Sequence, residues 1–316
     1  MVDALLAPEQ HGTRRPPEQS RARYPERTGT VERPGGRVAY EVYGSGEPPI
    51  VFVPPWQIVH SRIWKAQIPD FARRHRVIAW DNLGNGRSDR PLDPSVHTTR
   101  ARAANLRAVM DAADVPAAVL VGLSSASGPM VVLASEQPES VLGLVFIGPA
   151  APFGEEGRFA EIVFEEVLAT DHRWAKENIH FWRRDYRAYL EFFFSQGFPE
   201  AHSTKQVEDG IGWGLDTDPE SLAATKRAPP TVDPTSFAQL CASIRAPTLV
   251  IQGTDERLTH VTQGRALAEA IAGAQLALIE DGGHLLNARH PVRVNLLIRD
   301  FIRTLRGRSA NARARA

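Results

Sequence analysis

Three short segments carry the residue types that nucleophilic catalysis needs. In Ala118-Val119-Leu120-Val121-Gly122-Leu123-Ser124-Ser125-Ala126-Ser127-Gly128 an apolar run ends on a serine with a small residue two positions to either side. Polar and small residues follow and a helical pattern begins. Ser124 therefore reads as the apex of a sharp strand-to-helix turn that pushes its hydroxyl beyond the sheet. Such a turn crowds positions 122 and 126, which are glycine and alanine. Choosing Ser125 as the apex would put the bulky Leu123 at a crowded position. An ordinary serine N-cap would produce a similar local pattern. An acid and a histidine at later strand ends distinguish the two.

Both are present. Pro247-Thr248-Leu249-Val250-Ile251-Gln252-Gly253 reads as a buried strand and is followed by Thr254-Asp255-Glu256-Arg257. After a helical segment over 264–271, the strand 275–280 runs into Asp281-Gly282-Gly283-His284. The chain order serine, acid, histidine is that of one known triad architecture. The ends of parallel strands are also where ligand sites of open α/β sheets collect. Asp255 and Glu256 are adjacent, and neighbouring extended residues point opposite ways, so only one can aim at His284. His290 precedes Pro291 and suits support of a helix start, whereas His284 follows two glycines at a strand end.

In the chemistry implied, His284 takes the Ser124 proton as the oxygen attacks a carbonyl carbon, and the acid orients the imidazole. An acyl-enzyme forms and water then releases the acid. The tetrahedral oxyanion needs preorganised donors. In the triad architecture with this chain order, one expected donor is the N–H of the residue after the nucleophile, here Ser125, and the other is expected from the loop after strand 50–53. That loop begins Pro54-Pro55-Trp56, and prolines carry no N–H, so Trp56 offers the first amide. His60, a few residues on, is a candidate for touching substrate, against a competing role in supporting its loop.

The elements that position these groups are legible too. An alternating hairpin is expected over 28–43, around a Pro34-Gly35-Gly36 turn. Near-continuous apolar strands follow at 50–53, 77–80, 118–122, 142–147, 248–252 and 275–280, as expected when both sheet faces are covered. Helical stretches at 63–75, 98–113, 125–136, 266–271 and 291–305 separate or close them. Alternation of this kind specifies an α/β fold with a mostly parallel, doubly wound sheet. The stretch 151–244 breaks the pattern. It is helical in character, and 13 of the 24 aromatics fall between Phe153 and Trp213, enough for a core of its own. A minority of these rings should face an apolar ligand pocket, and Trp182 is a candidate.

Composition narrows the partners. Lys plus Arg equals Asp plus Glu, so no global field recruits nucleic acid or an anionic membrane. The single cysteine, Cys241, excludes an internal disulfide and fits a reducing cytoplasm. No apolar run approaches the roughly 18 residues of a membrane span. Gly84-Asn85-Gly86 is too short and misplaced for dinucleotide binding, and no metal-ligand cluster appears, so neither cofactor nor metal is expected. Residues 1–27 and the tail 307–316 read as poorly ordered, leaving a core of 28–150 and 245–306.

Together with Asp81-Asn82-Leu83-Gly84-Asn85-Gly86-Arg87-Ser88, which resembles a family Asp-x-x-Gly-x-Gly-x-Ser loop, these motifs are similar to those of the α/β-hydrolase superfamily. The likeness is to its lid-bearing serine esterase and haloperoxidase-like branch, and runs from about Val31 to Leu305. It implies that 151–244 forms a helical lid between strands 6 and 7, and that Trp56 stands at the usual oxyanion-donor position. It also implies that the acid falls three residues beyond Gly253, which favours Glu256 and leaves Asp255 as the alternative. The chain departs from the family in having Pro54-Pro55 where a His-Gly pair is usual, and glutamate where aspartate is commoner. The resemblance implies hydrolysis of a carboxylic ester or lactone of a mainly apolar small molecule. C–C bond hydrolysis or acyl transfer on the same triad are alternatives, as is a non-catalytic ligand receptor.

Overall fold

The computed structural model describes residues 21–155 and 163–313. Eight strands form one sheet: β1 (Arg27–Arg33), β2 (Gly36–Tyr43), β3 (Ile50–Val53), β4 (Val77–Trp80), β5 (Ala118–Leu123), β6 (Val141–Ile147), β7 (Thr248–Gly253) and β8 (Gln275–Ile279), in the order β1-β2-β4-β3-β5-β6-β7-β8. β2 pairs antiparallel with β1 and β4, and every later pairing is parallel. The apolar strands expected from the sequence all form, with ends within one residue of expectation.

The parallel strands are apolar on both faces because both faces are covered. Along β3 to β5, Ile50, Phe52, Val77, Ala79, Val119 and Val121 enter one core. Their neighbours Val51, Val53, Ile78, Trp80, Ala118 and Leu120 enter the other. The first core is closed by α1 (Ile68–Phe71), α10 (Leu286–Arg289) and α11 (Pro291–Arg313), and the second by α2 (Thr99–Ala112), α3 (Ser127–Glu136), α8 (Pro234–Ser243) and α9 (Val261–Ala270). Cys241 lies in the second core, where burial pushes its thiol up to about 12, in keeping with a packing role. Between β6 and β7 the chain runs through α4 (Ile179–Arg184), α5 (Tyr186–Gly197), α6 (Thr204–Gly214) and α7 (Pro219–Lys226) before α8. Their aromatics, including Trp182, Tyr189, Phe193 and Phe194, join the first core. Among the described residues no helix is long and apolar enough to cross a membrane.

Several boundaries differ from expectation. The helix expected over 63–75 is instead a 3-10 turn, Ser61–Trp64, followed by the short α1. Pro69 suits only the first turn of a helix, so it restarts the helix rather than continuing it. α9 begins earlier than expected because the His260 side chain accepts from the Thr262 N–H and caps it. Of the terminal segments expected to be poorly ordered, 1–20 and 314–316 lie outside the described residues. Arg21 is placed, paired at 2.5 Å with the buried Glu41, and β1 starts at Arg27. α11 continues to Arg313, beyond the expected end at 305.

Candidate active site

Ser124 stands at the end of β5 with φ of +54°, a conformation that costs a non-glycine residue about 1–3 kcal/mol. The geometry is kept by what flanks it. A Cβ at Gly122 would lie 2.8 Å from the Ala126 Cβ and 2.2 Å from Met130 Sδ, so the turn closes only over two small residues. The Ser124 carbonyl accepts from Ala150 N at 3.2 Å, and the Ser127 hydroxyl bonds the Ala150 carbonyl, which ties the turn to the chain leaving β6. Gly122→Val is expected to lower stability by about 2 kcal/mol through overpacking, read as a fall of several degrees in Tm.

Beyond β7 the two acidic neighbours part as adjacent extended residues must. The Glu256 side chain is 1% exposed and its Oε2 lies 2.8 Å from His284 Nδ1. Gln252 Nε2 reaches the same oxygen at 3.4 Å, while Oε1 accepts from the amides of Leu258 at 2.9 Å and Thr259 at 3.2 Å. The Asp255 side chain is 42% exposed and instead pairs with Arg257 at 2.8 Å. Asp255 N bonds Gly282 O at 3.0 Å, which draws the acid loop and the histidine loop together. That approach requires glycine at 253, where a Cβ would lie 2.1 Å from the Gly282 carbonyl oxygen.

Ser124 and His284 face one cavity of about 350 Å³, walled largely by Trp56, Val59, Phe193, Phe194, Leu258 and Leu285. With Nδ1 committed to Glu256, Nε2 is the ring nitrogen left for the cavity. Ser124 and His284 share the cavity without a hydrogen bond between them, a spacing that commonly tightens only when substrate is bound. Trp56 and Ser125 also line it. Neither of their backbone amides donates to another described residue. α5 and α7 contribute Phe193, Phe194 and Lys226, so the inserted helices form part of the wall.

Two expected pocket residues stand elsewhere. Trp182 is fully buried behind Trp56, their ring centroids 6.2 Å apart, because its indole completes the helices' own aromatic core. His60 is 7% exposed and its Nε2 lies 3.1 Å from Asp216 Oδ2, in a separate cavity. Its Nδ1 accepts from the Arg62 amide and caps the turn that follows, which is the loop-supporting role. His290 lies 3.3 Å from Glu200 Oε1, away from Ser124.

The 81–88 loop supports the site from behind. Asn82 Nδ2 donates to the Pro55 carbonyl at 2.8 Å and Asn85 Nδ2 to the Gln57 carbonyl at 2.7 Å, fixing the backbone on either side of Trp56. Asp81 accepts from Ser61 N at 2.8 Å and Arg87 N at 3.0 Å. The loop is legible in the sequence as a motif, but the roles of its two asparagines are not. Their place inside the Gly-rich motif was the only available signal. Nor does the sequence single out Lys226, whose ammonium pairs with buried Glu177 at 2.5 Å and lies 5.5 Å from the Trp56 ring.

A strained serine at a strand end, a buried carboxylate–imidazole pair and an apolar cavity on an eight-stranded, mostly parallel sheet define a class of hydrolytic enzyme. The chain belongs to the α/β hydrolase fold family, whose model matches residues 48–291. It is 29% identical over 245 residues to the 2-hydroxymuconate semialdehyde hydrolase of Pseudomonas sp. (strain CF600), covering 76% of this chain and 80% of that one. It is 27% identical over 277 residues to a putative carbamate hydrolase, RutD, of Azorhizobium caulinodans, covering 83% and 93%. Among solved structures it resembles Est816, described as an N-acyl homoserine lactone degrading enzyme, with a TM-score of 0.69 and 27% identity over 86% of this chain and all of that one. The protein is accordingly a hydrolase of the α/β-hydrolase type.

Proposed function

We propose that this hydrolase cleaves a carboxylic ester or lactone of a mainly apolar small molecule through an acyl-enzyme on Ser124. His284 serves as general base toward the Ser124 hydroxyl and later as general acid toward the leaving alcohol. Glu256 holds the imidazole in the tautomer that presents Nε2 and stabilises the imidazolium. The amides of Trp56 and Ser125 receive the oxyanion. The inserted helices act as a lid whose rings exclude water and bind the acyl or alcohol chain.

The observation that carries this reading is the 2.8 Å contact between Glu256 and His284 on the same cavity as the strained Ser124. Esters and lactones are favoured by the apolar walls and by likeness to a lactone-degrading enzyme. Likeness to the semialdehyde hydrolase supports a second reading, C–C bond hydrolysis of a diketone-like compound by the same groups.

A panel of p-nitrophenyl esters and lactones tests the first reading, and stopped-flow spectra of a coloured diketone test the second. A fluorophosphonate should label Ser124 and no other residue, as read by peptide mass spectrometry. Labelling at any other serine, with Ser124 unmodified, would overturn the assignment of the nucleophile.

A further inference from the structure

Arg102 sits in the first turn of α2 and is buried, with no carboxylate within salt-bridge distance among the described residues. Burial pushes its guanidinium down to about 10. The surroundings make the charge harder to explain by stability alone. An unpaired buried cation is costly, and a positive charge near a helix N-terminus opposes the helix dipole. What the guanidinium touches is three backbone carbonyls and one hydroxyl. Nη2 donates to the carbonyls of Pro54 at 3.2 Å and Pro55 at 3.1 Å. Nη1 donates to the carbonyl and the hydroxyl oxygen of Ser125, both at 3.2 Å. One planar fork thus joins the loop after β3 to the turn after β5.

The Pro55 carbonyl belongs to the same peptide unit as the Trp56 N–H. A cation bonded to the oxygen end of a planar peptide fixes the plane and increases the positive character of the N–H at the other end. We propose that Arg102 is a positioning residue for the oxyanion site. It holds the Trp56 and Ser125 segments in register and polarises the Pro55–Trp56 peptide toward negative charge arriving from the cavity. Asn82 donates to the same carbonyl at 2.8 Å, but as a neutral amide that does not reach the elbow. With prolines at 54 and 55, the first amide the loop offers is that of Trp56, which makes its orientation and strength matter more. The inference rests on the oxyanion assignment made above.

Arg102→Met keeps the stem and removes the charge and donors. Arg102→Lys keeps the charge but cannot bridge both segments. Each variant is compared with the wild type for kcat and KM on the best p-nitrophenyl ester. Binding is measured for a trifluoromethyl ketone, whose Ser124 adduct carries an oxyanion, and for the methyl ketone of the same skeleton, which mimics only the ground state. Removing a direct donor costs about a hundredfold or more in kcat, so loss of an indirect one should cost on the order of tenfold to a hundredfold in Arg102→Met with KM little changed. Affinity for the trifluoromethyl ketone should fall by the same factor and that for the methyl ketone should not. Arg102→Lys should fall between Arg102→Met and the wild type, and decides the matter if Arg102→Met does not fold.

The inference is overturned if kcat and the ratio of the two ketone affinities stay at wild-type values in a folded variant. It is equally overturned if both ketones weaken together, as generalised loosening would produce. Failure of the underlying reading looks different. There the wild type itself would neither turn over esters nor prefer the trifluoromethyl ketone.

Discussion

Ser124→Ala is expected to lower kcat by about five orders of magnitude, since removing a serine nucleophile in a comparable triad costs on the order of a millionfold. The adjacent hydroxyl does not compensate. Ser125 follows the residue with positive φ and lies inside the helical turn, where its side chain is engaged by Arg102 at 3.2 Å. Residual turnover should come only from oriented water and the oxyanion donors. Alanine retains a Cβ, so the positive φ stays equally strained and Tm should hardly move. Ser124→Gly should be equally inactive yet more stable by about 1 kcal/mol, because glycine adopts that conformation without penalty. Steady-state kinetics with a p-nitrophenyl ester and thermal melts of both variants measure this. Turnover within tenfold of wild type in Ser124→Ala would remove the acyl-enzyme from the mechanism.

The second large effect separates two adjacent acids. Glu256→Gln should reduce kcat by about a thousandfold to ten-thousandfold, because an amide opposite Nδ1 favours the wrong histidine tautomer and no longer stabilises the imidazolium. Asp255→Asn should stay within about threefold of wild type, since its exposed pair with Arg257 contributes little. The contrast is informative because the two acids are adjacent in one loop and point in different directions. A reversed ranking in the measured kcat values would move the acid role to Asp255.

How far the sequence reached depended on the range of the interactions involved. Strands such as Val77–Trp80 and Ile50–Val53 were legible because a run of apolar residues short enough for a strand admits few other uses. The elbow was legible because its steric demand falls on positions 122 and 126, both local. The helix expected over 63–75 fails at Pro69, where the backbone rule for proline outweighs the apolar pattern. The placing of Trp182 and His60 stayed open in the sequence for a different reason. An aromatic or a histidine near a site carries no mark of which way it faces, and here both turn into neighbouring helices and loops.

By itself, the sequence determined the sheet, the crowded serine turn and the order of serine, acid and histidine along the chain, since each is written in spacings of a few residues. Only the tertiary structure decided that Glu256 and not Asp255 meets His284, that Phe193 and Phe194 wall the cavity, and that Arg102 reaches two loops at once. Those outcomes depend on the relative placement of segments 23, 28 and 47 residues apart in sequence or further, and no local periodicity encodes a side chain's direction across such a gap.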